Sequence, residues 1–493
     1  MKYAAGIDLG TTSTKTAIMD MQGRILGIGR GSYDLHIPKP SWAEQEPEKW
    51  WSAVKLSLKE ACADAGISAS EIDGIGFSGQ MHGLVALDQD GEPVCPAIIH
   101  LDQRSGRLLS RIHELAGDLM KEELLNRPAA GMLISSLCWL KENEPGIFRR
   151  IRYVMSPKDY IRYRLCGEIG TDVSDASATL AFSVKNREWC APLFERLQLR
   201  GDIWPSVHES SEIAGNVSRR ASAETGLSTK TILVYGAGDS LAAMTGCAVI
   251  DKGILACNIG TSSQLVFVSD QPVFDPKFRI QTWCHALPER WALQSGTLNG
   301  GSTLNWLRGK VLKSSLPFSE LDREAGEIPA GADGLFFLPY LAGERTPYND
   351  PNASGSFFGL RMHHGQAHLV RAVMEGVLFN LKECLCILDG LQVKPQYLLS
   401  SGGAARGRTW RQIQADMLEM PVHTTKVEEE ACQGAAILAA VGAGCYRTVQ
   451  EACSNTVSMS EEVIEPVPEN GKLYREKLHT FRELYLRTKD LLS

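Results

Sequence analysis

The sequence predicts an α/β protein made of two related domains. Three observations carry this expectation. The chain has 493 residues, more than one ordinary hydrophobic core organises, so two or three domains are expected. A short pattern occurs twice, about 250 residues apart: Gly6-Ile7-Asp8-Leu9-Gly10-Thr11-Thr12-Ser13-Thr14-Lys15, then Asn258-Ile259-Gly260-Thr261-Ser262-Ser263-Gln264-Leu265. Around the first copy, meandering β-type runs give way to a helical pattern and then a return strand, which is an α/β layer.

Taken in order, strands are predicted over 3–9, 14–20 and 25–34, joined at Gly10-Thr11-Thr12 and at Gln22-Gly23. A helix over 47–66 opens at Glu46-Pro47 and carries Trp50, Trp51, Val54 and Leu58 on one face. A return strand over 72–77 runs into Ser78-Gly79-Gln80-Met81-His82-Gly83, and a short strand covers 84–87. Residues 101–230 read as mainly helical, with a loop-rich patch at 167–183. A strand over 231–235 ends in Gly236-Ala237-Gly238-Asp239. The second half restarts at Gly253 with the repeated motif. Helices follow over 301–313, 365–388, 408–419 and 430–443, with a strand over 396–399 entering Ser401-Gly402-Gly403-Ala404. The last 25 residues look like a closing amphipathic helix. The domains are placed at 1–246 and 247–493; no Pro/Ser-rich linker separates them, so a packed hinge is expected.

Composition removes several function classes. The formal net charge is −7 and no basic run is long enough to bind nucleic acid. No stretch reaches the ~18 apolar residues of a membrane span. The first twenty residues, with Asp8 and Asp20, read as strand-turn-strand and not as a signal peptide. The 13 cysteines lack any CxxC and read as reduced thiols. A cytoplasmic location is expected, and a homodimer is left open.

The two Gly-Thr turns are the first candidate site. A hairpin tip of glycine and hydroxyl residues offers backbone N–H groups and short donors to phosphate. Either copy alone reads equally well as an ordinary β-hairpin. The repetition favours phosphate, and the copies differ at Asp8 and Asn258. A carboxylate beside phosphates repels them unless a cation intervenes, so Asp8 implies Mg²⁺. Asp239 is the second candidate. It reads as a helix N-cap when taken alone. Its place at a strand end, where the second half begins, fits a base that takes the proton of an attacking hydroxyl. Gln80, Met81 and His82, with Asp102 and Arg104, form a polar set suited to a polyol, although Arg104 also reads as a partner for Asp102. Ser401-Gly402-Gly403-Ala404 and Gly300-Gly301-Ser302 are weaker signals for a close backbone approach to a nucleotide.

Three segments then point to a family. Gly355-Ser356-Phe357-Phe358-Gly359-Leu360 is followed, after seven residues, by His368-Leu369-Val370-Arg371-Ala372-Val373-Met374-Glu375. With Ser78–Gly83 and the run Leu338-Pro339-Tyr340-Leu341-Ala342-Gly343-Glu344-Arg345-Thr346-Pro347, this resembles the FGGY carbohydrate kinases, and most closely their xylulokinase branch. The resemblance implies an actin-like, ribonuclease-H-like ATPase fold in both halves, with a catalytic cleft between them. It implies ATP and Mg²⁺, Asp8 at Mg-ATP and Asp239 as general base. Thr11, Thr12, Lys15, Gly260, Thr261 and Gly300 would serve the nucleotide, with Gly402, Gly403 and Ala404 beside adenosine. Gln80, Met81, His82, Asp239 and Ser240 would line the sugar, D-xylulose first. Ribulose, a pentitol or gluconate are alternatives, and an actin-like ATPase switch without a small acceptor is the remote one. The chain departs from the family pattern at His100, at Ser240 beside the base, and at Ser136 ahead of Trp139.

Overall fold

The computed structural model describes residues 2–492. Two mixed sheets organise it. In the first, seven-stranded sheet, the strands Tyr3–Leu9, Ser13–Asp20 and Ile25–Ser32 form an antiparallel meander. Ile72–Gly79 then lies parallel to Tyr3–Leu9, with Ile232–Val234 and Ala237–Gly238 parallel to it in turn. The six-stranded second sheet repeats the plan. Ile254–Ile259, Ser263–Ser269 and Trp291–Thr297 meander, and Tyr397–Gly402 runs parallel to Ile254–Ile259. The expected α/β plan, a meander followed by a parallel return strand, is therefore present in both halves.

The covering helices follow local rules. Pro47 opens the helix Pro47–Ala65 with its φ already set, and Gly66 closes it in the left-handed region, its N–H reaching Ala63 O. The face carrying Trp50, Trp51, Val54 and Leu58 is 0–1% exposed. Each such side chain contributes ~1.5–3 kcal/mol on burial. The expected helices of the second half are present as Gly301–Trp306, Gln366–Gly390, Arg408–Leu418 and Glu430–Gly442, and the chain closes on Pro468–Leu492. None of the helices is long and apolar enough to cross a membrane among the described residues.

Two expectations need correction. The stretch 101–230 carries short strands as well as helices, including Ile213–Asn216, which extends the first sheet. The supposed loop at 167–183 holds the strand Gly170–Asp172 and the helix Val173–Ser177. Its polar side chains are interior: Thr171, Asp172, Ser174, Asp175, Ser177 and Thr179 are all at most 2% exposed.

The two halves meet backbone to backbone. The helix Glu430–Gly442 lies against Tyr3–Leu9, Ile72–Gly79 and the helix Asp239–Gly246. A Cβ on Gly434 would stand 1.8 Å from Ala242 O, and one on Gly246 would stand 1.9 Å from Glu430 O. Gly6 faces Cys432 O and Gly76 faces Ala435 O in the same way. Only glycine permits this approach.

Candidate active site

The first turn is built at the end of the paired strands Tyr3–Leu9 and Ser13–Asp20. Register sets Asp8 opposite Lys15 on one side and Ser78 on the other. Ser78 Oγ donates to Asp8 Oδ1 at 2.7 Å. Burial pushes the Asp8 carboxyl above its ordinary range, against the pull of Ser78 and Lys15. The turn is braced from behind. Tyr33 OH donates to Gly10 O at 2.5 Å, Gln45 Nε2 to Thr11 O at 2.7 Å, and Tyr33 N–H to Thr12 O at 3.2 Å. The Thr11 and Thr12 hydroxyls have no partner among the described residues. Lys15 does have one: its Nζ lies 2.7 Å from Glu429, which also holds Arg30 at 2.9 Å. Glu429 precedes the interdomain helix, and no local signal in the sequence marks it.

The second turn assembles the remaining nucleotide candidates. Gly301 N–H donates to Gly260 O at 2.7 Å and Gly300 N–H to Thr261 O at 3.1 Å. Gly402 pairs with Ile259 in parallel register. Its φ of 78° and ψ of −166° form a conformation open to glycine alone. Gly260, Thr261, Gly300, Gly402, Gly403 and Ala404 thus gather at one end of the second sheet.

Asp239 stands at the matching end of the first sheet. Ala237–Gly238 pairs with Ser78–Gly79, which sets Asp239 beside the Gln80–His82 segment. The N-cap of the helix Asp239–Gly246 is Gly238, so Asp239 does not serve as the cap. Its Oδ1 accepts from Ser240 N–H at 2.7 Å and from Ser240 Oγ at 3.4 Å. Burial, reinforced by the negative charge of Asp8, pushes Asp239 up to about 7. A base is most effective with a pKa near the working pH.

The sugar candidates divide. Met81 packs on Gly238, where an added Cβ would meet Met81 Cγ at 2.7 Å. His82 adopts a φ of 75°, a strained conformation for a non-glycine residue. Its Nδ1 donates to Ala178 O at 2.7 Å. Burial pulls His82 down to about 4, helped by the charges of His100 and Arg345. The ring is therefore neutral at physiological pH, with Nε2 left as an acceptor. Gln80 turns away from the surface. It is 1% exposed, and its Nε2 donates to Gln45 Oε1 at 3.0 Å, bracing the first turn from below. Asp102 and Arg104 pair with each other, and Arg104 also reaches Glu44 at 2.7 Å and stacks over Trp42. They form a structural cluster.

The second half adds what sequence reading missed. The Trp283 ring lies 5.6 Å from the His82 ring. The Arg345 positive charge helps to lower His82; its guanidinium donates from Nε to Gly296 O at 3.0 Å and feels the charge of neighbouring Glu344. Glu344 itself accepts from Leu298 N–H at 2.8 Å, Arg345 N–H at 2.7 Å and Asn380 Nδ2 at 2.7 Å. Two residues far apart in the chain meet here, which spacing along the sequence does not reveal.

The arrangement joins two glycine-threonine turns to the Asp239 carboxylate, and the chain as a whole is similar to known proteins. Residues 3–246 match the N-terminal domain of the FGGY family of carbohydrate kinases, and residues 255–443 match its C-terminal domain. The chain belongs to the FGGY carbohydrate kinases. A xylulose kinase of Bacillus subtilis is 33% identical over 491 residues, covering 100% of this chain and 98% of that one. A gluconokinase of the same organism is 31% identical over 500 residues, covering 98% of this chain and 95% of that one. The crystal structure of xylulose kinase from Rhodospirillum rubrum superposes with a TM-score of 0.92 at 28% identity, covering 100% of both chains. As an FGGY kinase the chain is a phosphotransferase with the actin-like ATPase-type fold.

Proposed function

We propose that this kinase transfers the γ-phosphoryl of Mg-ATP to a primary hydroxyl of a ketopentose, with D-xylulose as the preferred acceptor. The observation that carries the chemistry is Asp239: a carboxylate at a strand end, held near neutrality by burial. As the hydroxyl oxygen attacks phosphorus, Asp239 takes its proton, the bond to the β-phosphate oxygen breaks, and ADP departs. Residues 1–246 supply the base, the sugar wall of Met81, His82 and Ser240, and the first nucleotide turn with Asp8; residues 247–493 supply the second nucleotide turn. Asp8 is the carboxylate that fits a magnesium ion. Burial leaves its charge under-compensated, and no group of His, Cys, Asp and Glu side chains forms a metal cage among the described residues. Magnesium fits one carboxylate completed by phosphate oxygens and water. Bound there, it would neutralise phosphate charge.

The similarity to the xylulose kinases and the Met81-His82 pair support D-xylulose. A sugar acid such as gluconate is the second reading, favoured by the Arg345 positive charge near His82 and by the similarity to a gluconokinase. Comparing kcat/KM for D-xylulose, D-ribulose, L-xylulose, D-arabinitol and gluconate decides between them. D-xylulose is expected to lead by ~10-fold or more, about 1.4 kcal/mol of transition-state stabilisation. A lead for gluconate would move the chain to the second reading.

A further inference from the structure

A buried ionic cluster lies behind the base, on segments that the proposed chemistry does not use. Lys158 is 1% exposed and meets Asp159 at 2.7 Å, Asp172 at 2.8 Å and Asp175 at 3.4 Å, all three 0% exposed. Lys158 Nζ also donates to Tyr235 O at 3.4 Å, on the segment that leads to the base. Asp172 Oδ2 accepts from Ser174 N–H at 2.7 Å, Ser174 Oγ at 2.5 Å and Ser210 Oγ at 3.0 Å. With its proton committed to Asp172, Ser174 Oγ is an acceptor, and Gly238 N–H donates to it at 3.0 Å. The Lys158–Asp172 ion pair and the hydrogen bonds of Asp172 and Ser174 thus link the Lys158 ammonium to the N–H of Gly238, the residue before Asp239. The same segment touches the rest of the site. Ala178 O holds His82, and Ser177 Oγ accepts from Cys284 N–H at 3.1 Å, beside Trp283.

A buried ion network is a poor source of stability compared with well-packed apolar residues. Its contacts are better explained by what it orients. We infer that Ser174 and Asp172, anchored by Lys158, are positioning residues that fix the Gly238 peptide and so aim the Asp239 carboxylate at the acceptor hydroxyl. This rests on Asp239 being the base. Small misplacements of a reacting group are costly: ~1 Å can remove on the order of 100-fold in rate.

The test uses the full-length chain and D-xylulose with Mg-ATP, or whichever acceptor the substrate panel ranks first. Ser174→Ala is expected to lower kcat ~10-fold or more while both KM values stay within about 3-fold. Ser210→Ala perturbs the same Asp172 oxygen without touching the Gly238 contact, and is expected to keep kcat within about 2-fold. Ser174→Ala in an Asp239→Asn background is expected to cost less than about 2-fold, because a residue acting through the base loses its effect once the base is gone. Equal losses from Ser174→Ala in both backgrounds, or an equal loss from Ser210→Ala, overturn the inference and leave the base assignment standing. Near-normal turnover of Asp239→Asn alone overturns the base assignment and this inference with it.

Discussion

Asn258 donates its side-chain amide to Ser401 Oγ at 2.8 Å, across the parallel strands of the second sheet. Asp8 and Ser78 hold the same relationship across the parallel strands of the first, with the donor reversed. The repeat is therefore carried to the level of one side-chain hydrogen bond, and one copy keeps a charge while the other is neutral. A pair of facing carboxylates would repel a polyphosphate from both sides; one carboxylate can be matched by one cation.

Asp8→Asn keeps the shape of this pair and removes the charge. Turnover of the variant is expected to fall, and its response to magnesium concentration to flatten, with sugar affinity largely retained. A magnesium titration at fixed ATP measures this; an unchanged magnesium dependence would count against the role of Asp8.

In the proposed role Asp239 acts as an ionised carboxylate, so the pH dependence has a defined sign. With its pKa raised to about 7, kcat/KM for the sugar should fall as pH drops through that value. Asp239→Ala should lose ~10²–10⁴-fold in turnover while still binding ATP. A flat profile between pH 5 and 8, or near-normal turnover of the variant, would sink the assignment.

The same shift makes a stability prediction. Below the ordinary carboxyl value of 3.8 the folded and unfolded chains are both protonated at Asp239, and the group has no effect. As pH rises toward 7, the unfolded chain ionises first, so the wild type loses stability across that window and holds the loss above it. Asp239→Asn escapes this. It should be more stable by ~1–4 kcal/mol at pH 8, at about 1.4 kcal/mol per pKa unit, with the gain vanishing near pH 4. Thermal or urea unfolding at both pH values checks it, and equal stabilities at pH 8 would contradict it.

Gly434→Ala places a Cβ 1.8 Å from the Ala242 carbonyl oxygen, a backbone atom with nowhere to move. Overpacking of this kind costs ~1–3 kcal/mol or more. Gly390→Ala, with nothing within 4 Å of the added carbon, is the control and should be close to neutral. Indistinguishable urea midpoints for the two variants would refute the close approach.

Much of this was legible in the sequence because its causes are local. The two Gly-Thr turns and their flanking strands are contiguous, so Asp8 and Asn258 betray the duplication directly. Asp239 was visible because an apolar strand ends there. The misreadings have a shared cause. Thr171, Asp172, Ser174 and Asp175 read as loop because Ser, Thr and Asp favour turns, yet they lie buried, with Lys158 paired among the carboxylates. Trp283 and Arg345 reach His82 from the other half of the chain. Gln80 is expected at the sugar and Lys15 at the nucleotide; in the structure Gln80 is buried against Gln45 and Lys15 is paired with Glu429.

The glycine contacts between the halves also bear on recombination within the family. Gly6, Gly76 and Gly246 on one side, and Gly434 on the other, face carbonyl oxygens of the opposite backbone. A hybrid enzyme could inherit its first half from one parent and its second half from another only if both parents kept these glycines. The side-chain contacts that also cross between the halves, such as Lys15 with Glu429 and His82 with Trp283, would have to match as well.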